Sequence, residues 1–331
     1  MYDKIIAHND FDGIVSAALC SYHYNASEIV FCSPAGIIDK SININNNCIL
    51  CDLPYNSNCG LWFDHHIGNR EELAQRKINI DEIPGEFALK PSCARVIYDY
   101  LSKISTLPDF FSETVTETDI IDSFAYSCAN DWIKKTPGKL ITCALCANFP
   151  SRFEELNFMR KLVRQIKSIP LSQIVALDWF KPQIDKYYEE ESVMINIIKE
   201  SSYFIPCDKK NEIAVIDLTK YNRKPNVIRS LAFLVYPCAK AVISIQNQFD
   251  RGIKLNNLFI SMSLGFYYYN KSHGKDVGSI MDTLGLGDGH SGAAGGRIHC
   301  NSKQDMIRKK QDILNKIFEI WSIQPDIISE K

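Results

Sequence analysis

The sequence predicts an α/β protein of two domains: an N-terminal domain on a parallel sheet and a smaller C-terminal α/β domain, joined by a helical linker. Three observations carry this. Short apolar runs alternate with helical patterns up to about residue 125 of the 331, which is how parallel strands covered by helices are written. A charged helix, Gln183–Lys199, follows the punctuation at Pro170 and Pro182, and a second set of strands begins after Asn211. The length suits about two domains of ordinary size. The expected boundaries are 1–170 for the first domain, 171–205 for the linker and 206–331 for the second.

In chain order, Lys4–Ala7 reads as a strand and Ile14–Tyr24 as a helix. Glu28–Cys32, Cys48–Cys51 and Leu61–Phe63 follow as strands. Ser92–Lys103 places Ala94, Val96, Ile97 and Leu101 at helical spacing. From Asp109 to Lys167 the pattern is helical, interrupted at Pro137-Gly138 and Pro150. In the second domain, strands are expected at Glu212–Leu218, Ala239–Gln246 and Leu258–Leu264, with helices at Val227–Val235 and Asp276–Leu284. Gly285–Gly296 reads as a glycine-rich loop. A terminal amphipathic helix, Lys303–Trp321, carries the basic run Arg308-Lys309-Lys310, which reads as a solvated face.

Composition narrows the function. A net charge of −2 gives no general pull toward long nucleic acid, so a nucleic-acid substrate should be short or gripped locally. No apolar run approaches the ~20 residues that span a bilayer, and the N-terminus lacks the regions of a signal peptide. A cytoplasmic protein is expected. Cys48/Cys51 and Cys143/Cys146 form two CxxC pairs, but these lie about 90 residues apart in apolar segments. Buried reduced thiols are the expectation for them, rather than zinc ligands.

The chemistry concentrates in two short clusters, His8-Asn9-Asp10-Phe11-Asp12-Gly13 and Asp64-His65-His66. Charged groups so close together are rarely buried unless paired or bound to metal. His8, Asp10 and Asp12 alternate, so an extended backbone would point all three one way, and Gly13 permits a sharp turn into a helix. Asp52 ends the third strand and Asp64-His65-His66 the fourth, where open parallel sheets build their sites. Carboxylate and imidazole ligands without thiolate suit manganese, with magnesium or cobalt as alternatives. One carboxylate can bridge two cations held ~3.5–4 Å apart.

HNDFDG, CDLP and DHH, in this order and spacing, resemble the DHH phosphoesterase superfamily. That superfamily includes RecJ-type exonucleases, nano-RNases, cyclic-dinucleotide phosphodiesterases, pyrophosphatases and exopolyphosphatases. Gly285-Leu286-Gly287-Asp288-Gly289-His290-Ser291-Gly292 is similar to the glycine-histidine signature of the DHH-associated C-terminal domain. The resemblance implies an active site in the cleft between the domains, holding two divalent cations, Mn2+ foremost. His8 and Asp10 would bind one, Asp12, His65 and a later aspartate the other, and Asp52 both. Asp119 matches the later motif better than Asp122, one helical turn away. His66 would face the substrate phosphate and Asp64 would orient the histidines. The cations would activate a water for attack on phosphorus, with Asp52, Asp64, His65 and His66 as the catalytic set. Gly287, Gly289, His290 and Arg297 would join His66 in binding substrate.

Two departures from the family pattern concern substrate choice. Asp288 stands where glycine is usual, and Gly265 follows Ser263-Leu264 where a substrate-binding arginine is usual. Arg297 and Arg251 are the candidates to replace that arginine. The single residue between His8 and Asp10 is similar to the RecJ-type branch rather than the pyrophosphatases, yet the length leaves no room for extra nucleic-acid-binding domains. The expected activity is a manganese-dependent phosphodiesterase, of exonuclease or oligoribonuclease type, on short oligonucleotides or related small phosphoesters. The alternative is a phosphoanhydride hydrolase of the exopolyphosphatase or pyrophosphatase type. No membrane and no long duplex nucleic acid are expected as partners, and the reading leaves room for a homodimer.

Overall fold

Ile5, Ile6 and Ala7 are fully buried in succession, the signature of a strand covered on both faces. The computed structural model, which describes residues 2–327, has two compact units. The first comprises Met1–Ala125 and Lys134–Tyr188, the second Tyr126–Ile133 and Glu189–Lys331. The chain passes from one to the other within the helix Lys181–Ser201.

The first unit is built on five parallel strands: β1 (Lys4–His8), β2 (Glu28–Cys32), β3 (Cys48–Cys51), β4 (Leu61–Asp64) and β5 (Gly85–Phe87), in the order β2-β1-β3-β4-β5. The first four fall where the apolar runs place them. Ala7 lies opposite Cys51, and Cys51 opposite Phe63, so the carboxyl ends of β1, β3 and β4 are level. β2 lies on one side of β1 and the remaining strands on the other, which puts a topological switch point between β1 and β3.

The helix Phe11–Tyr24 is buried from Phe11 through Ser21 and packs against the helices Cys93–Ser102 and Arg152–Ile166. It starts earlier than expected, so the extended stretch after β1 is short: Asp10 caps the helix and Asp12 lies in its first turn. Gly13 serves close packing here, since a Cβ would sit 2.1 Å from the His8 carbonyl oxygen. Gly13→Ala should therefore cost about 3 kcal/mol of stability or more, the upper range for overpacking. An unchanged denaturation midpoint would show that the helix shifts freely away from β1.

The predominantly helical stretch resolves into Phe110–Asp122, Ala129–Trp132, Pro137–Cys146 and Arg152–Ile166. Pro137 begins a helix instead of breaking one. It occupies the first turn, where its missing N–H is not needed, and Thr136 caps the end by accepting from the Lys139 N–H. Cys48, Cys51 and Cys143 are buried thiols, Cys146 partly so.

The second unit carries a mixed sheet of β6 (Ser202–Phe204), β7 (Ile213–Asp217), β8 (Ala241–Asp250), β9 (Ile253–Leu264), β10 (Gly287–His290) and β11 (Ala293–Ile298). The order is β10-β11-β9-β8-β7-β6, with β7 and β8 parallel and the other pairs antiparallel. The helix Lys303–Ile323 contributes Leu314, Ile317 and Trp321 to the core. Its basic run engages carboxylates of the same unit: Arg308 pairs with Asp305 and Asp312, Lys309 with Asp305, and Lys310 with Asp217.

Two expectations for this unit are corrected. Val227–Val235 is not one helix but a 3-10 turn, Arg229–Leu231, followed by the short helix Ala232–Val235. The β-branched Val227 and Ile228 just after Pro225 favour extended backbone. The glycine-rich stretch is not a loop but the antiparallel pair β10–β11. Gly289 takes φ +154°, and a Cβ there would lie 2.5 Å from the Ala293 oxygen, so glycine lets the two strands approach closely.

Candidate metal centre

The level ends of β1, β3 and β4 bring one group each to a common point. His8 is the last residue of β1. Asp52 follows β3 directly and takes a left-handed conformation, φ +60°, which aspartate tolerates better than most residues. Strained backbone of this kind is retained where the surrounding structure enforces it, often at functional sites. His65 and His66 follow Asp64, the last residue of β4.

Three groups of potential ligand atoms result. His8, Asp10 and Asp52 form one, Asp12, His65 and Asp122 a second, and Asp52, His65 and His66 a third. In the first, His8 Nδ1 lies 2.7 Å from Asp10 and 3.3 Å from Asp52, while the other Asp10 oxygen accepts from the Gly13 N–H. In the second, His65 Nε2 lies 3.4 Å from Asp122 and 3.7 Å from Asp12. Asp52 links the groups, 3.5 Å from His65 Nε2 and 3.5 Å from His66 Nδ1.

Neighbouring residues fix these side chains in place. Asp12 is buried, and its two oxygens accept from the N–H groups of Cys93 and Ala94, 2.7 and 2.8 Å away. These belong to the first turn of the helix Cys93–Ser102, where unpaired amides favour an anion. His65 Nδ1 lies 3.0 Å from the Lys90 carbonyl oxygen, so Nδ1 is a donor and Nε2 is the ring nitrogen turned to the cluster, where it would offer its lone pair to a cation once its own proton is lost. Asp64 is fully buried and binds His66 Nδ1 at 3.0 Å and the Asn69 amide at 2.7 Å. His66 is thereby oriented while its side chain remains 47% exposed.

The residues fit a divalent-metal site. Asp52 Oδ1 and His65 Nε2 are buried and lack a hydrogen-bond partner, a costly arrangement unless something else satisfies them. Carboxylates and imidazoles without thiolate suit hard to borderline cations such as Mn2+.

Asp119, the sequence-based preference for the later ligand, is engaged elsewhere. Its carboxylate accepts from Ser92 Oγ at 2.6 Å and from Arg95 Nε at 2.8 Å, with Arg95 Nη2 at 2.7 Å. Asp122 reaches His65 instead. Both aspartates lie on one face of the helix Phe110–Asp122, and only the partners Ser92 and Arg95, distant in sequence, decide between them. Sequence reasoning also missed Asn69, which has no signature beyond following the histidine pair.

Without cations the cluster's own protons compensate its charge. Burial opposes a charged His8, but Asp10 and Asp52 outweigh it and push the ring up to about 11. Burial likewise opposes His65, and Asp52 and Asp12 raise it to about 10. Desolvation, then Asp52 and Asp10, push Asp122 up to about 7. Asp52 itself is buried, yet His65 and His8 hold it below the usual carboxylate range.

A histidine raised in the folded state contributes stability that is complete below its unfolded pKa of about 6.5 and lost as pH climbs toward the folded value. Asp122 adds a loss of the same sign between 3.8 and about 7. The Asp52 contribution is complete above its ordinary value of 3.8 and adds no slope near neutrality. The Tm of metal-free protein should therefore fall from pH 6 to pH 9, and Mn2+ should restore it most at the alkaline end. A metal-free Tm that rises with pH across this window would contradict the charge assignment.

In the second unit, Gly287, Gly289 and His290 lie on β10, and Arg297 is exposed on β11. His290 Nδ1 accepts from the Gly292 N–H at 3.1 Å. The backbone at Asp288 pairs with Gly295, and its side chain lies outside the described residues. Arg251 is exposed in the turn between β8 and β9. An arginine could not replace Gly265, because its Cβ would lie 2.4 Å from the Phe233 ring. The arginine that reaches Ser263 is Arg229, which sequence reasoning missed and which donates from Nε to Ser263 Oγ at 3.1 Å.

Among solved structures, the chain matches PggH, a pGpG-specific phosphodiesterase from Vibrio cholerae, with TM-score 0.69 and 22% identity over 96% of this chain and 99% of that one. RecJ from Thermus thermophilus, in complex with Mn2+, matches with TM-score 0.52 and 11% identity over 99% of this chain and 53% of that one. The chain has the DHH phosphoesterase fold. An exopolyphosphatase-related protein from Bacteroides fragilis shares this DHH fold at TM-score 0.51 and 12% identity, over 96% and 93% of the two chains. No protein-family model matches the sequence, and no curated protein matches it as a relative. In this DHH fold the first unit holds all three groups of ligand atoms.

Proposed function

We propose that the protein is a manganese-dependent phosphodiesterase that hydrolyses short oligonucleotides or related small nucleotide phosphoesters. The observation that carries this is the linkage of three ligand groups through Asp52 and His65 at the ends of adjacent parallel strands. In this reading His8 and Asp10 hold one cation, Asp12, His65 and Asp122 the other, and Asp52 both. Two cations so held supply a water nucleophile at neutral pH and neutralise charge on the phosphate.

The remaining steps belong to the side chains. Asp64 aligns His66, whose exposed ring is placed to donate a proton to a phosphate oxygen or leaving group. Asp12, clamped by two backbone amides, and His65, held by the Lys90 carbonyl, keep their positions without reorganisation. In the second unit, His290 and the β10–β11 pair would contact the substrate.

Support for a dinucleotide-sized substrate comes from PggH, described as pGpG-specific, and from a net charge of −2, which disfavours long polyanions. Support for manganese comes from RecJ, determined with Mn2+. Among the described residues no helix is long and apolar enough to cross a membrane, and twelve cysteines without a disulfide suit a reducing, cytoplasmic setting. The likeness to the exopolyphosphatase-related protein favours a second reading, phosphoanhydride hydrolysis. Turnover with Mn2+ should be measured on linear dinucleotides, cyclic dinucleotides, pyrophosphate and polyphosphate. Release of mononucleotide from linear dinucleotides, abolished by EDTA, is the expected result; rapid cleavage of polyphosphate alone would replace this reading with the second.

A further inference from the structure

A cavity of about 740 Å3 lies in the second unit, and every residue lining it falls within Glu189–Lys331. Its volume is that of a small-molecule site. The walls are the helix Lys303–Ile323, the first residues of β6 and β9, and the chain at and after the end of β7. Asn256, on the wall, is seven residues before Ser263 on β9, about 23 Å at the rise of a strand. Ser263 pairs with Ala293, so the cavity occupies the sheet end opposite the His290–Gly292 turn.

The lining is cationic. Lys303, Met306, Ile307 and Lys310 recur at helical spacing, so one face of the helix looks into the cavity. Lys310 is neutralised by Asp217. Lys220 donates to the Glu200 carbonyl oxygen at 3.1 Å and Lys254 to that of Thr219 at 2.6 Å. Neither these two lysines nor Lys303 meets a carboxylate among the described residues. Four lysines against two carboxylates leave the cavity positive, in a chain of net charge −2. The neighbouring cations of the helix do not extend this patch, because Arg308 and Lys309 pair with Asp305 and Asp312. A patch so confined suits a small anion better than a polymer.

The rest of the wall calls for more than a bare anion. Leu255 and Ile307 are 36% and 52% exposed and flank the buried Met306. Burial and then Asp217 push the Tyr203 hydroxyl up to about 12, so it stays a donor, and it makes no hydrogen bond among the described residues. Asn247 is buried and donates to the Leu255 carbonyl oxygen, yet its Oδ1 has no partner, which is costly for a buried acceptor. Unpaired lysines, an apolar wall, a donor and an acceptor together match a phosphorylated ligand that carries a polar ring.

We propose that this cavity is a second ligand site, which takes a nucleoside monophosphate with its phosphate on the lysines and its base against Leu255, Ile307 and Tyr203. The site is separate from the strand ends that gather the histidines and aspartates, and it does not rest on the phosphoesterase reading.

The test is calorimetric titration of the full-length protein, stripped of metal with EDTA, with AMP, GMP, CMP and UMP in turn. At least one should bind, at least about 10-fold more tightly than inorganic phosphate or ribose 5-phosphate. Lys303→Glu should weaken that binding by about 10-fold or more, the loss of a charged hydrogen bond. Lys303 opens its helix, where a carboxylate suits the dipole, so the Tm of this variant should not fall. Lys254→Gln should weaken binding in the same direction. With Mn2+, both variants should turn over a linear dinucleotide within about 2-fold of wild type.

No binding of any of the four nucleotides, or wild-type affinity in both variants, overturns the proposal. So does inorganic phosphate binding as tightly as the nucleotide, which would reduce the site to a patch of charge. Turnover that falls in step with nucleotide affinity also overturns it, because the lysines would then serve the substrate. The phosphoesterase reading fails on a different result: nucleotide binding that depends on Lys303, without hydrolysis of dinucleotides, removes that reading and leaves this site standing.

Discussion

Asp52→Asn is expected to abolish turnover, by a factor on the order of a thousand, while the protein stays folded. The carboxylate belongs to two of the three ligand groups, and in the proposed arrangement it would hold both cations, so replacing it would weaken both positions at once. The amide keeps the shape of the side chain, and asparagine accepts a left-handed backbone at φ +60° as aspartate does. Asp52 also holds His8 and His65 in their protonated forms without metal, so the variant should lose much of the alkaline fall in Tm. Metal content should drop below two cations per chain. Near-normal turnover with two bound cations would remove Asp52 from the bridging position.

The second large effect separates Asp122 from Asp119. Asp122→Asn should lower kcat by about 100-fold or raise the Mn2+ concentration needed for activity by a similar factor, because its oxygen lies 3.4 Å from His65 Nε2. Asp119→Asn should leave the ligand groups in place and act on stability instead. It strips Arg95 of a two-point partner at 2.7 and 2.8 Å, worth about 2 kcal/mol for charged hydrogen bonds of this kind. Kinetics and denaturant titration on the two variants, with the opposite pattern, would reinstate Asp119 as the ligand.

The cluster of histidines and aspartates was legible because its residues sit in short segments next to strands, where local pattern places them without tertiary knowledge. His8, Asp52 and the Asp64-His65-His66 run needed only the strand ends, and the parallel order of the sheet brought them level. What was not legible depended on contacts between distant segments. Asp119 and Asp122 share a helix face, and Ser92 and Arg95, more than twenty residues away, capture one of them. β5 and β6, three residues each, carry too little pattern to separate from loops. The β10–β11 pair looked like a loop because glycine weakens any strand signal. Arg229 lies in an irregular turn after Pro225, 34 residues from the serine it binds, and no motif leads to it.

The assignment of Tyr126–Ile133 to the second unit bears on how the molecule can be dissected. Neither unit is a continuous stretch of chain, so no single cut separates them. A fragment ending at residue 188 would keep this eight-residue excursion but lose its companions, and one starting at 189 would lack Trp132, which is buried with its ring tilted against that of Phe266, centroids 6.1 Å apart. Fragments made by one truncation should both be sticky and poorly expressed. Faithful isolation of the first unit would require a short linker joining Ala125 to Lys134, and isolation of the other would require grafting those eight residues onto a new end.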